Sequence, residues 1–145
     1  MATKANAQGG SLSRKLSVKT ARRTQLIDVT AEVEALVRES GCESGVCCLY
    51  VPHTTAGVLI NEGYDPAVAR EIEAAFDRMV PRVANSKHDE GNSDSHIKTA
   101  LVGSSETLWI EHGKLALGRW QAIFFAEFDG PRTRELRVKI VPDPA

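Results

Sequence analysis

No hydrophobic run in this chain approaches the roughly 20 residues of a membrane span, and no secretory h-region is present. Glycine-rich phosphate loops of the GxxxxGK[ST] and GxGxxG kinds are missing, which removes support for a nucleotide cofactor. A GxSxG nucleophile elbow is missing too, which argues against a serine hydrolase. Cysteine is scarce and odd in number: Cys42, Cys47 and Cys48 make a poor disulfide framework. They read as small buried hydrophobes, with Cys47 and Cys48 on opposite sides of a strand, in a reducing, cytoplasmic setting. Acidic residues are absent before Asp28, whereas Lys4, Arg14, Lys15, Lys19, Arg22 and Arg23 precede it. Over the whole chain the net charge is −1, which gives no electrostatic argument for a nucleic-acid or membrane partner.

What is present fits one domain of 145 residues. At that length roughly 70% of the unfolded surface can be buried, enough for a real core. Residues 1–13 are polar and without periodicity, and they read as a disordered basic tail; the domain spans 14–145. Strands are expected at Lys15–Thr20, Thr24–Val29, Val46–Val51, Gly57–Ile60, Thr107–Glu111, Arg119–Phe128 and Arg134–Val141. Three helices are expected. The first is Ala31–Glu39, with Thr30 as its cap and Gly41 as its stop. The second runs from Pro66 to Met79 behind the cap Asp65. The third starts near Ser93 or Asp94, turns Ile97, Ala100 and Leu101 inward, and stops at Gly103. Paired strands with a few helices favour an α+β class over βαβ winding.

Chemistry concentrates in two polar blocks: Pro52-His53-Thr54-Thr55-Ala56-Gly57 with Asn61-Glu62, and His88-Asp89-Glu90-Gly91-Asn92-Ser93-Asp94-Ser95-His96. Buried polar groups need partners, so such blocks suggest a pocket for a metal ion, an anion or a reacting substrate. His53 directly follows a buried strand, and with a pKa of about 6.5 it can serve as general base or ligand. Glu62 and Glu90 are the candidate acid/base carboxylates. His53, His88 and His96 would together supply three zinc ligands and leave one position open. Alternatively, Asp89, Glu90 and Asp94 could hold magnesium against phosphate oxygens. Thr54, Thr55, Asn61, Asn92, Trp120 and Gln121 complete a candidate substrate- or anion-binding set. His112 reads as a turn residue.

These blocks, with Asp65-Pro66, Ile97-Lys98 and Gly103-Ser104-Ser105, resemble the secondary thiamine-phosphate synthase (YjbQ-like) family. The run Ser105–Ile123, with Leu108, Ile110, Gly113, Gly118, Trp120, Gln121 and Ile123 in register, is similar to that family's signature. Arg119 departs from it, since the family usually has Thr or Ser there. The resemblance implies a curved, largely antiparallel, sandwich-like sheet, a homotrimer, and weak joining of a hydroxymethylpyrimidine diphosphate to a thiazole phosphate with release of diphosphate. In that reading Trp120 offers a platform for the flat pyrimidine. Two other readings stand beside it: a zinc-dependent hydrolase or metal-binding protein, and a non-catalytic trimeric binder of a small phosphorylated metabolite.

Overall fold

A computed structural model describes residues 10–82 and 91–145. Eight strands are present: β1 Leu12–Lys19, β2 Gln25–Asp28, β3 Gly45–Tyr50, β4 Ala56–Glu62, β5 Ser105–Glu111, β6 Lys114–Leu115, β7 Gln121–Glu127 and β8 Thr133–Pro142. The helices are α1 Thr30–Ser40, α2 Pro66–Met79 and α3 Ser93–Val102. Strand β1 starts at Leu12, ahead of residue 14 and inside the segment expected to be tail.

Two antiparallel sheets stack face to face. One has the order β1-β8-β3-β5-β6 and the other β2-β7-β4. The alternation Leu136, Val138, Ile140 on β8 sends those side chains inward, where they meet Cys47, Leu49, Leu108 and Ile110 from the same sheet. Val58, Ile123 and Phe125 approach from the smaller sheet, and Val33, Leu36 and Val37 of α1 complete this core. A second layer forms on the opposite face of the smaller sheet. There Leu26, Phe124, Ala126 and Phe128 pack on Ile72 and Phe76 of α2. Strand β7 is therefore covered on both faces, which explains its unbroken apolar reading. Cys47 is fully buried and Cys48 only partly, as their opposite parity requires; burial pushes the Cys47 thiol up to about 12.

Local signals set the element ends. Asp65 caps α2 by accepting the Ala67 N–H at 2.9 Å, with Pro66 behind it. At the start of α1 the expected cap is corrected. Asp28 accepts the Thr30 N–H at 2.9 Å, while the Thr30 hydroxyl accepts the Ile123 N–H of β7 at 2.8 Å. Strand β2 is a sheet edge, and Glu73 of α2 covers it by accepting the Leu26 N–H at 2.7 Å.

Helix α3 is inverted relative to its apolar spacing. Asp94, Ser95, Lys98 and Thr99 are buried, whereas Ile97, Ala100 and Leu101 face outward. The polar side turns inward because partners wait there: Arg23, Asp77 and the Phe128 carbonyl (below). Among the described residues no helix is long and apolar enough to cross a membrane.

The two burial assignments are separable by stability. Phe125→Ala is expected to lower the unfolding free energy by about 3–5 kcal/mol. Leu101→Ala is expected to change it by about 0.5 kcal/mol or less. Urea denaturation of both variants is the check, and equal losses would contradict the outward position of Leu101.

Candidate functional site at the crossover end

The chain passes directly from the larger sheet to the smaller at residues 20–24, 51–55 and 116–120, and back again at 128–132. The crossovers at 20–24, 51–55 and 128–132 meet at one end of the sandwich. The Phe128 N–H donates to the Thr55 carbonyl at 3.1 Å, the Gly130 N–H to the Arg23 carbonyl at 3.2 Å, and the Thr20 N–H to the Arg132 carbonyl at 2.8 Å.

At their junction lies a buried ion pair, Glu127 with Arg134. Arg134 has the inward parity of Leu136, Val138 and Ile140, so the β8 register drives a guanidinium into the core. Its Nε donates to Glu127 Oε1 at 2.8 Å and its Nη2 donates to Glu127 Oε2 and, at 2.8 Å, to Thr55 Oγ1. The Thr20 hydroxyl donates to Glu127 Oε1 at 2.8 Å, and the Asp129 N–H to Oε2 at 2.9 Å. Burial alone would raise the Glu127 pKa. The hydrogen bonds from Arg134, Asp129 N–H and Thr20 outweigh it and hold the carboxyl below its usual range.

A second group surrounds the first. Asp129 accepts from Arg23 Nη1 at 3.0 Å, Asn92 Nδ2 at 2.6 Å and Arg132 Nη2 at 3.0 Å. Burial opposes ionisation there as well, but these donors keep the carboxyl below its ordinary value. Arg23 also reaches Asp94 Oδ1 at 3.0 Å. Lys98, nearly inaccessible, places its ammonium between Asp77 at 2.8 Å and Asp94 at 3.3 Å. Asp89 and Glu90, the carboxylates expected to join Asp94 on magnesium, lie outside the described residues. Ser95 Oγ donates to the Phe128 carbonyl, fixing α3 to the crossover.

Beside this network lies a cleft of about 430 Å³ lined by Arg22, Arg23, Thr24, Asp77, Pro81, Arg82, Asp94 and Lys98. Four cations face two carboxylates in it. Arg22 is paired with Glu73, but Arg82 has no carboxylate partner among the described residues.

The expected site residues divide between the two ends of the molecule. Thr55 and Asn92 lie within the buried network, as partners of Arg134 and Asp129; Thr54 beside them is exposed. His53 lines a neighbouring cleft of about 360 Å³ with Lys15, Ser17, Thr133 and Glu135. Its Nε2 accepts the Glu135 N–H at 3.0 Å, so the neutral ring carries its proton on Nδ1 and presents a donor there. A metal could therefore approach His53 only through Nδ1. Burial and the nearby Arg134 charge lower the His53 pKa against the opposing pull of Glu127 and Glu135. His96 is half-buried on α3 next to Ser95. His88 and Glu90 lie outside the described residues. Among the described residues, no group of three or more His, Cys, Asp or Glu is arranged to hold a metal ion.

Glu62, Asn61, Trp120 and Gln121 sit elsewhere. Thr55 precedes β4 and Glu62 ends it, a separation of about 20 Å at strand rise. Within one chain Glu62 and Trp120 do not share a site with His53. Asn61 Oδ1 accepts the Glu62 N–H, and Gln121 Oε1 accepts the Gly118 N–H at 2.7 Å, so both serve local backbone structure. His112 lies exposed at φ 53°, in the two-residue turn with Gly113 that joins β5 to β6.

Sequence reasoning overlooked Arg23, Asp77, Lys98, Glu127, Asp129 and Arg134. The available signal was parity: an arginine on the inward face of an alternating strand and a glutamate inside an apolar one.

Arg134→Ala leaves Glu127 buried without its counter-ion and is expected to destabilise by about 3–5 kcal/mol. Replacing both, with Glu127→Gln and Arg134→Met, should recover part of that loss. Chemical denaturation of the single and double variants measures the coupling. The carboxyls of Glu127 and Asp129 are depressed in the folded state. Their stabilisation is full above the ordinary carboxylate range and is lost as pH falls through their folded values. His53 acts in the same direction at higher pH. Its folded pKa is lowered, so stability falls as pH drops below about 6.5, where the unfolded ring takes up the proton first. Thermal melts across pH 3–8, with His53→Gln removing only the upper step, check both.

The comparisons with known proteins agree over the length of the domain. The chain matches the family described as "UPF0047 protein YjbQ-like" over residues 14–143. It is 50% identical over 129 residues to a UPF0047 protein of Methanocaldococcus jannaschii, covering 89% of this chain and 94% of that one. It is 45% identical to the UPF0047 protein YugU of Bacillus subtilis, covering 88% of this chain and 98% of the relative. A crystal structure of an uncharacterized conserved protein of the family from Clostridium acetobutylicum superposes with a TM-score of 0.85 at 50% identity, covering 88% of this chain and 99% of that one. A YbjQ-like protein of unknown function from Sulfolobus solfataricus superposes with a TM-score of 0.87 at 31% identity, covering 92% and 98%. With an α+β architecture common to these structures and a match over residues 14–143, the chain belongs to the YjbQ-like UPF0047 family.

Proposed function

We propose that this protein binds a small phosphorylated metabolite in the 430 Å³ cleft at the crossover end. The observation that carries the reading is Arg82, a cation on the wall of this cleft with no carboxylate partner among the described residues, beside Arg22, Arg23 and Lys98. Arg23 and Lys98 are held by carboxylates and set the local potential. Arg82 is exposed and can turn its planar donor fork onto phosphate oxygens, whereas the Arg22 fork is held by Glu73.

The reaction this binding would serve is group transfer with diphosphate as leaving group, of the thiamine-phosphate synthase kind that the sequence resemblance implies. Negative charge grows on the departing diphosphate, and fixed cations aimed at it stabilise that charge without reorganising. His53, neutral and with Nδ1–H as donor, is suited to hydrogen-bonding an anionic oxygen rather than to removing a proton. Association of the copies as a homotrimer belongs to the same proposal.

Inorganic diphosphate is the first probe. At 100 times its dissociation constant it should stabilise the protein by about 2.7 kcal/mol in a thermal melt. Arg82→Ala should weaken that binding about tenfold without lowering the melting temperature of the free protein. No stabilisation by diphosphate, or unchanged binding by the variant, would refute the site. A coupled assay with hydroxymethylpyrimidine diphosphate and thiazole phosphate then tests the reaction, which requires diphosphate release that depends on both substrates.

A further inference from the structure

The larger sheet has an outer face that no other element covers among the described residues. Helix α1 packs on its core side, and α2 and α3 lie against the smaller sheet. Strand register fixes what that face presents. Tyr50 of β3 and Trp109 of β5 point outward, since their strand neighbours Leu49, Leu108 and Ile110 point into the core. Trp109 stands opposite Val46, and Val46 opposite Val141, so the indole continues an apolar row across three strands. The Trp109 side chain is 66% exposed and Tyr50 49%. Tryptophan is highly buried on average, so one left this open on a sheet face calls for a partner.

The whole-chain charge of −1 conceals a local excess of cations on this face. Lys15 of β1 lies opposite Arg137 of β8; Lys139 is the next outward residue along β8, and Lys19 shares the outward parity of Lys15. The carboxylate among them is Glu135, which accepts the Arg137 Nε–H at 2.8 Å. Lys15, Lys19 and Lys139 have no ion pair among the described residues. At the far edge Glu111 and Lys114 stand opposite each other and cancel, and Asp143, past the end of β8, accepts the Ser44 hydroxyl.

Aromatic rings and cations thus run in adjacent lines. Tyr50 is the register partner of Arg137, and Cys48, one outward position along β3, is the partner of Lys139. The cation line is therefore one strand spacing, about 5 Å, from β3. Tyr50 and Trp109 are separated by four residues along the strands, about 14 Å, so two bases can stack on them separately. Every base has a π face that stacks on an open ring, and the phosphates between bases seek cations, which is how sheet surfaces hold single strands. A duplex keeps its base faces inside its own stack, and an acidic protein would use the lysines without needing the rings. We propose that the outer face of the larger sheet binds single-stranded nucleic acid, with bases on Trp109 and Tyr50 and phosphates on Lys15, Arg137 and Lys139. None of these residues lines the 430 Å³ cleft, so the site stands or falls independently of the function proposed above.

A short oligothymidylate is the probe, with its duplex with oligoadenylate and with polyglutamate as controls. Trp109 fluorescence, read alone in a Trp120→Phe variant, should be quenched saturably by the single strand. Trp109→Ala, at a position open to solvent, should keep the melting temperature and weaken binding of the labelled strand about tenfold. Lys15→Ala combined with Lys139→Ala should lower the slope of log affinity against log salt by about 1.4, at about 0.7 per phosphate contact. Arg82→Ala should leave the affinity unchanged. The proposal is overturned by an absence of saturable quenching, by equal affinity for the duplex or for polyglutamate, or by an affinity that Trp109→Ala does not change. A loss of binding with Arg82→Ala would place the strand in the other cleft and overturn it as well. So would sedimentation showing an oligomer that Trp109→Ala dissociates, with no binding of oligothymidylate, since the face would then belong to a second copy of the chain.

Discussion

A salt bridge buried between two sheets is the constraint on which this molecule depends. Glu127 and Arg134 are both excluded from water, and taking two such charges out of solvent costs several kcal/mol each. Their attraction alone does not guarantee a net gain over an apolar pair of the same volume. What it secures is geometry. Glu127 ends β7, Arg134 lies near the start of β8, and their partners Thr20 and Thr55 come from the other two crossovers. One carboxylate and one guanidinium therefore tie together three of the places where the chain changes sheets. Removing either partner leaves a buried charge with no counter-ion, so the arrangement resists partial loss.

From this pair the charge network spreads outward in a definite order. Asp129 collects Asn92, Arg132 and Arg23; Arg23 passes to Asp94; Asp94 shares Lys98 with Asp77. The network ends at a cleft where Arg82 has no carboxylate partner among the described residues. At the other end of β4 and β7, two aromatic rings stand beside carboxylates that have no ion-pair partner among the described residues.

Much of the framework was legible in the sequence. Alternation along β8, the Asp65-Pro66 helix start, the Gly103 stop and the opposite facing of Cys47 and Cys48 all follow from local periodicity and turn chemistry. Helix α3 was misread because Ile97, Ala100 and Leu101 have the spacing of an inward face. Spacing identifies which side chains share a side, but only tertiary partners decide which side turns in. Here Asp94, Ser95 and Lys98 have those partners, and a buried ammonium with two carboxylates outweighs an exposed leucine. His53 was correctly placed at a strand end, but its Nε2 lone pair is used by a backbone N–H that no single-sequence pattern reveals. Glu127, Asp129 and Arg134 escaped notice because each is a lone charge in a strand or turn; only folding makes them a cluster. Glu62 and Trp120 were grouped with His53 by chemistry, whereas the length of β4 separates them.

Amide hydrogen exchange in native conditions tests the central claim most directly. The amides of Phe128, Asp129, Gly130 and Arg132 donate to Thr55, Glu127, Arg23 and Thr20 across the crossovers. If the buried ion pair holds these crossovers as one unit, those amides exchange only by global unfolding, with the same free energy as the central strand β7. Exchange of the four through a local opening of much lower free energy, while β7 remains protected, would contradict it.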